Sequence, residues 1–368
     1  HGGAKGAIEL VNNVRMVKLG DVLTQRKEKI FVEDPLQAKL ISVRLYGKGA
    51  LQREIGDGKV PKAFTGYIGH TGQLVLSRIW ARKGAIALIP HDLEGVVVTN
   101  EFPLFDVDET QVIPKYLIQL LTSNNFGPTL ERASSGSSGQ NRVRENKFLE
   151  ISISLPPLEE QKRIVSILDK AKSIQKARER QLAALDRLKH SLLQETIKSS
   201  AIQEIPVGKV ISLKSGSFLP AKKQDGGKFP VYGGNGVNGS HSQYMVEEPT
   251  IIIGRVGAYC GSVHITRPKS WITDNALIVT IQAEGILQKY LAYVLHSINL
   301  NQYANRSGQP SISATRIKDI VIPIIPLTKQ ENFTKNINNI DRQIYLIRKS
   351  LEEDKVLFLS LQSVLFKN

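Results

Sequence analysis

The sequence predicts an α+β chain in which one unit occurs twice. Two β-rich globular segments are each followed by a long α-helix, and the two helices pair as an antiparallel coiled coil, giving pseudo-twofold symmetry. Three observations carry this expectation. Ser-Gly-Gln ends at Gln140 and again at Gln309, and each is followed by a proline-led helix start whose own glutamine, Gln161 or Gln330, keeps the same separation (309 − 140 = 330 − 161 = 169). An internal repeat of this length fixes the architecture before any local assignment is made. Beyond each helix start the apolar residues recur at alternating spacings of three and four, the period of a helix with a narrow seam. Ahead of each helix lie short apolar runs separated by glycine and proline, the pattern of strands and turns.

Taken in order, the start 1–14, with His1-Gly2-Gly3-Ala4, reads as disordered or tag-derived rather than as a targeting peptide. The first globular segment spans 15–155. It contains Leu74-Val75-Leu76, Ala85-Ile86-Ala87-Leu88-Ile89 and Gly95-Val96-Val97-Val98 as strand candidates. A helix is expected over Pro114–Leu121, with proline in the first turn, and a flexible loop over Ser134–Gly139. The first long helix is expected over 156–200, opening at Pro157, and the second globular segment over 201–324. There Thr250-Ile251-Ile252-Ile253 and Ala276–Ile281 read as strands and Leu287–His296 as a helix. The second long helix covers 325–368 from Pro326.

Other landmarks pair the copies. Leu19 answers Val207 (offset 188), Arg78-Ile79 answers Arg255-Val256 (177), and Thr99-Asn100 answers Thr273-Asp274 (174), as Lys115-Tyr116-Leu117 answers Lys289-Tyr290-Leu291. Copy one therefore carries 188 − 169 = 19 extra residues, all before Gln140. The helices are constant and the globular parts vary.

In the second helix Ile337, Ile344, Leu351, Phe358 and Leu365 lie seven apart, and Ile340, Ile347 and Leu361 form a second row interrupted by Asp354. In the first helix Leu158, Ile164, Leu168, Leu182, Leu185 and Leu192 supply apolar positions, while Gln175, Arg178 and Lys189 fall in the same seam. A helix of roughly 40 residues is about 60 Å long at 1.5 Å per residue. A narrow stripe of that length needs a partner helix, and each copy offers one to the other.

Lys plus Arg exceed Asp plus Glu by 49 − 34 = 15 in 368 residues. Such an excess favours polyanionic partners. No apolar run approaches the roughly 18–20 residues that span a bilayer, and no basic amphipathic helix or lipidation signal points to a membrane surface. Cys260 is the only cysteine, so an internal disulfide or a cysteine-built zinc site is excluded. A soluble, cytosolic, nucleic-acid-binding protein is the class these observations favour.

Leu155-Pro156-Pro157-Leu158-Glu159-Glu160-Gln161-Lys162-Arg163-Ile164 resembles the start of the conserved helix in specificity subunits of type I restriction–modification enzymes. The likeness covers nearly the whole chain. The second copy, Ile325-Pro326-Leu327-Thr328-Lys329-Gln330, departs from it by lacking the acidic pair. The resemblance implies that the globular segments are target-recognition domains, each reading one half of a split, asymmetric site on double-stranded DNA. It implies that the helices set the spacer and dock two modification (methyltransferase) subunits, with restriction (translocase and nuclease) subunits completing a cytoplasmic prokaryotic complex. S-adenosylmethionine, ATP and magnesium are then implied for those partners and no cofactor for this chain, which is non-catalytic.

The residues themselves agree. A methyltransferase holding a target amine needs an Asn/Asp-Pro-Pro-aromatic motif, and Pro156-Pro157 lacks both flanks. Gly234-Asn235-Gly236-Val237-Asn238-Gly239 fits G-x-G-x-x-G, but no helical period follows, so a turn is the reading. The histidines have no metal-ligand spacing, and Glu352-Glu353-Asp354 reads as a solvated helix face.

Base readout requires Arg or Lys for guanine and Asn or Gln for adenine, while phosphate contacts need only cations or amides. The candidates are Arg26, Arg44, Lys48, Arg78, Arg132, Gln140 and Arg142 in copy one. In copy two they are Lys214, Ser215, Tyr232, Asn235, Arg255, Arg306 and Gln309. The matched pairs Arg78/Arg255 and Gln140/Gln309 stand out. A residue shared by domains that read different sequences is expected to bind phosphate or hold the loop.

Overall fold

A computed structural model describes residues 14–55, 62–135, 142–305 and 308–366. The chain divides into two compact units, His1–Arg178 with Ser350–Asn368, and Glu179–Lys349. Both divisions fall inside the long helices, Leu158–Lys198 and Leu327–Leu365, each of which starts one residue after its proline.

In the first unit the entry strand Arg15–Lys18 pairs antiparallel with the exit strand Ser152–Leu155, closing the domain where the long helix begins. A four-stranded sheet runs in the order Leu23–Arg26, Leu104–Val107, Leu74–Leu76, Ile86–Leu88. A three-stranded sheet of Lys29–Val32, Phe64–Gly69 and Val96–Val98 adjoins it. The expected helix is present as Pro114–Leu121. The expected loop over 134–139 differs at its start, where Ser134–Ser135 pairs with Arg142–Val143; 136–141 lie outside the described residues. Phe105, Tyr116, Phe126 and Phe148 fill the core with Ile164 and Leu168 of the first long helix and Phe366, which directly follows the second. Each such side chain contributes roughly 1.5–3 kcal/mol by leaving water, so the helices are part of the domain core.

The second unit repeats the plan. Gln203–Pro206 pairs with Val321–Ile324, and a four-stranded sheet runs Ile211–Ser215, Ala276–Ile281, Ile251–Gly254, Val263–Ile265. The helix expected from Leu287 runs Gln288–Ser297. The first domain adds a hairpin, Ile41–Val43 with Ala50–Gln52, in the stretch where the offset between copies falls by 188 − 177 = 11.

Within each unit the two helix segments run antiparallel. In the first, the Lys172 ammonium lies 5.3 Å from the centre of the Phe358 ring, and Gln175 donates to the Asp354 carbonyl at 3.0 Å. Arg178 pairs with the Asp354 carboxylate. In the second, Lys189 meets Asp341 at 3.4 Å and Leu193 packs in the cluster of Phe333 and Ile337. Gln175 and Arg178 of the first helix's seam thus face the one interruption in the second's, Asp354, whereas Lys189 meets Asp341. Ile164, Leu168, Ile337, Ile340, Ile344, Ile347 and Leu351 are buried; Leu158, Leu182, Leu185, Leu192, Phe358, Leu361 and Leu365 are half-buried. Leu193, Phe333 and Phe366, outside the sequence-derived seam, are buried because the domain cores cover them.

The repeat's glutamines join helix to domain. Gln161 is fully buried; its Oε1 accepts from the Ile113 amide at 2.8 Å, and its Nε2 donates to the carbonyls of Gln111 (3.1 Å) and Pro156 (2.8 Å). Gln330 does the same with Leu287 N (2.8 Å), Gly285 O (3.0 Å) and Ile325 O (2.8 Å). Ile113 and Leu287 are the N-cap residues of the equivalent domain helices. In a capping box the N-cap amide is bonded by a Glu or Gln at the third helical position; Tyr116 and Tyr290 stand there, and the buried glutamine makes that bond from the neighbouring helix instead.

Candidate nucleic-acid interface

In the second domain four segments converge on Arg255, at the end of strand Ile251–Gly254. Its amide donates to Asn275 O and its carbonyl accepts from Ile312 N, both at 2.8 Å, which fixes the base of the side chain between two loops. The guanidinium Nη1 donates to Ser215 Oγ (3.1 Å) and Asp274 O (3.4 Å), and the side chain is exposed. Gly216 permits this convergence, because a Cβ there would collide with the carbonyl oxygens of Thr273 and Ile272. The Gly234-Asn235 turn joins strands Phe229–Gly233 and Gly236–His241 and is tied in by the Ser262 hydroxyl, which donates to Gly234 O. It is followed by a strand, so the dinucleotide-loop reading falls and Asn235 is an exposed turn residue. Gly257, at φ +83°, donates to Pro310 O (2.8 Å) beneath the exposed Gln309. Asn235, Arg255 and Gln309 are therefore presented on adjoining loops, with half-buried Ser215 bonded to Arg255 from the end of its strand and Phe218 and Tyr259 also exposed.

Two candidates of this domain are not brought into the group. Tyr232 is buried, and its hydroxyl accepts from the Arg267 amide (3.0 Å), so it is a core residue. Lys214 is exposed but precedes Ser215 in a strand, and successive side chains of a strand leave opposite faces. Arg306 and Gln140 lie outside the described residues.

In the first domain the arginines are largely occupied by acids. Arg78 pairs with Glu145, which also accepts from Gln25 Nε2 at 3.3 Å, and Arg142 pairs with Glu101 at 3.1 Å. Burial works to raise the Glu145 carboxyl, yet the hydrogen bond and charge of Arg78 outweigh it and hold it below the ordinary carboxylate value. Arg78 thus holds a loop rather than presenting a free cation. Arg26 pairs with Asp106, which also accepts from Gln73 at 2.7 Å. Arg132 is exposed, donating to Thr129 Oγ1 at 3.2 Å.

Arg44 and Lys48 behave differently. They flank the tip of the added hairpin, where Tyr46 (φ +60°) and Gly47 (φ +63°) are left-handed. The tip is pinned by Tyr46 N donating to Lys83 O (2.7 Å) and Gly47 N donating to Gly84 O (2.9 Å). A left-handed tyrosine is strained, and such strain persists only where the surroundings impose it. Beside it the Lys83 ammonium lies 5.1 Å from the centre of the Trp80 ring. Tyr46 and Trp80 are 69% and 44% exposed, so cations and open aromatic faces alternate across one surface, the composition that binds nucleic-acid backbones and bases. The aromatics were legible only as neighbours of the basic candidates.

A groove of about 680 Å³ in the second unit, lined by His190, His264, Tyr293 and Asp341 among others, lies where the domain meets the helices. Burial, and then the nearby His296, lowers the His264 pKa.

A model of the type I restriction modification DNA specificity domain matches this chain twice, over residues 12–185 and 200–353. The chain belongs to the type I restriction–modification DNA specificity family. It is 28% identical over 158 residues to the type I restriction enzyme EcoprrI specificity subunit of Escherichia coli, a match covering 43% of this chain and 34% of that relative, about a third of its length. Two solved structures share the fold. One is a chain of a type I restriction–modification system studied for its assembly and conformational transition, at TM-score 0.61 and 16% identity, covering 97% of this chain and 98% of that one. The other is the S subunit of the type I system of M. genitalium, at TM-score 0.55 and 17% identity, covering 98% of each. Each copy of the family's domain takes in one globular segment and much of the helix that follows it. Among the described residues no helix is long and apolar enough to cross a membrane.

Proposed function

We propose that this chain is the DNA-recognition subunit of a type I restriction–modification complex and performs no catalysis itself. Each domain reads one half of a bipartite, asymmetric duplex site, and the helices set the length of the unread spacer. The observation that carries this reading is the double match to a DNA specificity domain, combined with two different basic surfaces at equivalent domains. Identical domains would read a repeated half-site; domains sharing a scaffold but not their loops read two unlike ones.

Docking of two modification subunits, and of restriction subunits beyond them, accounts for a second feature. Val356, Leu357, Leu359 and Val364 on the second long helix are 68%, 55%, 48% and 47% exposed and lie outside the seam. Open aliphatic side chains at this density mark a surface that another protein covers. In this reading S-adenosylmethionine, ATP and magnesium serve the partner subunits, and the complex acts in the prokaryotic cytoplasm.

The test is to purify the chain with its modification subunits and map methylated adenines over a genome. Methylation confined to one bipartite sequence with a constant spacer supports the reading. Methylation without such a pattern, or methyl transfer by this chain alone, overturns it.

A further inference from the structure

Arg78 and Arg255 occupy one position of the repeat by the strictest criterion available, their backbone hydrogen bonds. Arg78 N donates to Glu101 O (3.0 Å) and Arg255 N to Asn275 O (2.8 Å), and these acceptors correspond (275 − 101 = 174). Arg78 O accepts from Val143 N (2.9 Å) and Arg255 O from Ile312 N (2.8 Å), and these donors correspond too (312 − 143 = 169). The side chains nevertheless meet opposite surroundings. Glu145, which holds Arg78, is replaced in the second copy by Ala314 (145 + 169), and Glu101 by Asn275. Both Glu145 and Ala314 are the first residue of a short helix, so the substitution changes the charge and leaves the backbone place unchanged.

The consequence is electrostatic. In the first domain two arginines face two glutamates and the group is neutral as a whole. In the second, Arg255 meets only a hydroxyl and a carbonyl, and among the described residues no carboxylate lies within ion-pair distance. A guanidinium has five N–H donors, and neutral acceptors on one nitrogen leave both its charge and most of those donors available. Such a fork, exposed and preset by two backbone bonds, matches a phosphate oxygen pair.

We propose that this single repeat position does two jobs: Arg255 is a DNA phosphate ligand of the second domain, whereas Arg78 is a positioning residue closed off by Glu145. The identity of one residue, Glu145 or Ala314, decides which. In the first domain the phosphate-binding role passes to the hairpin tip with Arg44 and Lys48. The proposal rests on the DNA-recognition reading above.

Its test uses the full chain co-purified with its modification subunits and a labelled duplex of random sequence, titrated between about 50 and 200 mM salt. Arg255→Ala and Ala314→Glu are each expected to lower the slope of log affinity against log salt by about 0.9, the worth of one phosphate contact. Each should weaken low-salt binding roughly tenfold, the loss of one charge-assisted hydrogen bond. Arg78→Ala should leave the slope at the wild-type value and lower the melting temperature. Ala314→Glu is the decisive variant, because a glutamate at the first position of a helix favours folding, so lost binding there is not lost structure. An unchanged slope in Arg255→Ala or Ala314→Glu, or an equal fall in Arg78→Ala, overturns the assignment. Salt-independent binding by the wild-type complex would instead sink the DNA-recognition reading itself.

Discussion

Replacing Gln330 by alanine removes three hydrogen bonds from a site with no exposure to water. The orphaned groups are the Leu287 amide, at the N-cap of the domain helix, and the carbonyls of Gly285 and Ile325. A buried backbone group left unpaired costs about 1–3 kcal/mol, so the three together set an upper range of roughly 3–9 kcal/mol. The vacated volume is large enough for water to enter and satisfy part of this, which brings the expected loss to about 3–5 kcal/mol. For a unit of this size each kcal/mol lowers the melting temperature by about 2–4 °C, hence a fall of roughly 6–20 °C. Circular dichroism melting measures it, and hydrogen exchange localises it to the amides around 285–291. Gln330→Glu sharpens the test. It keeps the shape and still accepts from Leu287, but at neutral pH it sets a carboxylate against two carbonyl oxygens, so its loss should shrink on acidification as the buried acid protonates. A fall below about 1 kcal/mol in the alanine variant, with unchanged exchange at 285–291, would refute the idea that this glutamine fastens the second domain to its helix.

Gln161→Ala should destabilise the first unit by a similar amount, since its three bonds are the same, and melting of the two single variants checks it. Asp354→Leu should cost about 1–3 kcal/mol by stranding Arg178 in the seam, while Gln175 keeps its main-chain carbonyl partner; the pair Arg178→Leu with Asp354→Leu should restore most of that stability. His70 hydrogen-bonds Glu94 (2.7 Å) and Glu28 (3.0 Å), which raise its pKa above 6.5 against a small opposing effect of burial, so its NMR titration midpoint should lie above that value. The contribution is complete below the unfolded value and is lost as pH rises through the folded one, so wild-type melting should fall more between about pH 6 and 8 than that of His70→Gln. Arg44→Ala with Lys48→Ala should lower the salt slope of duplex binding by about 1.8, with the melting temperature unchanged.

The repeat, the long helices and most strands were legible because they depend on period and spacing, which survive in one dimension. Pro114–Leu121 is read correctly to the residue because proline marks its start and a three–four apolar pattern its length. The seam was legible as a stripe but not as a set of contacts. Lys189 and Arg178 look like faults in it until Asp341 and Asp354 are found opposite, and that pairing depends on a register the sequence does not display. The site was less legible still. Residue type nominates an arginine equally well whether it is free or paired, and the acid that decides the matter for Arg78 is 67 residues away in sequence. Tyr232 failed for a related reason: a tyrosine beside glycines suits a binding loop and a core equally, and burial alone separates the two.

The constant offset beyond Gln140 has a mechanical cause in these contacts. One residue inserted between the exit strand and the long helix would turn the helix by about 100° relative to the domain. That rotation would carry Gln161 away from Ile113 and, in the same motion, swing Leu168 out of the domain core, so two independent sets of buried contacts would be lost at once. An insertion within the domain meets no such constraint, because lengthening a surface loop costs only tenths of a kcal/mol. The hairpin Ile41–Val43 with Ala50–Gln52 is such an insertion, and its tip carries the exposed cations that the paired arginines of the first domain do not supply. Length is therefore free to vary in surface loops and is held fixed where one element fastens another.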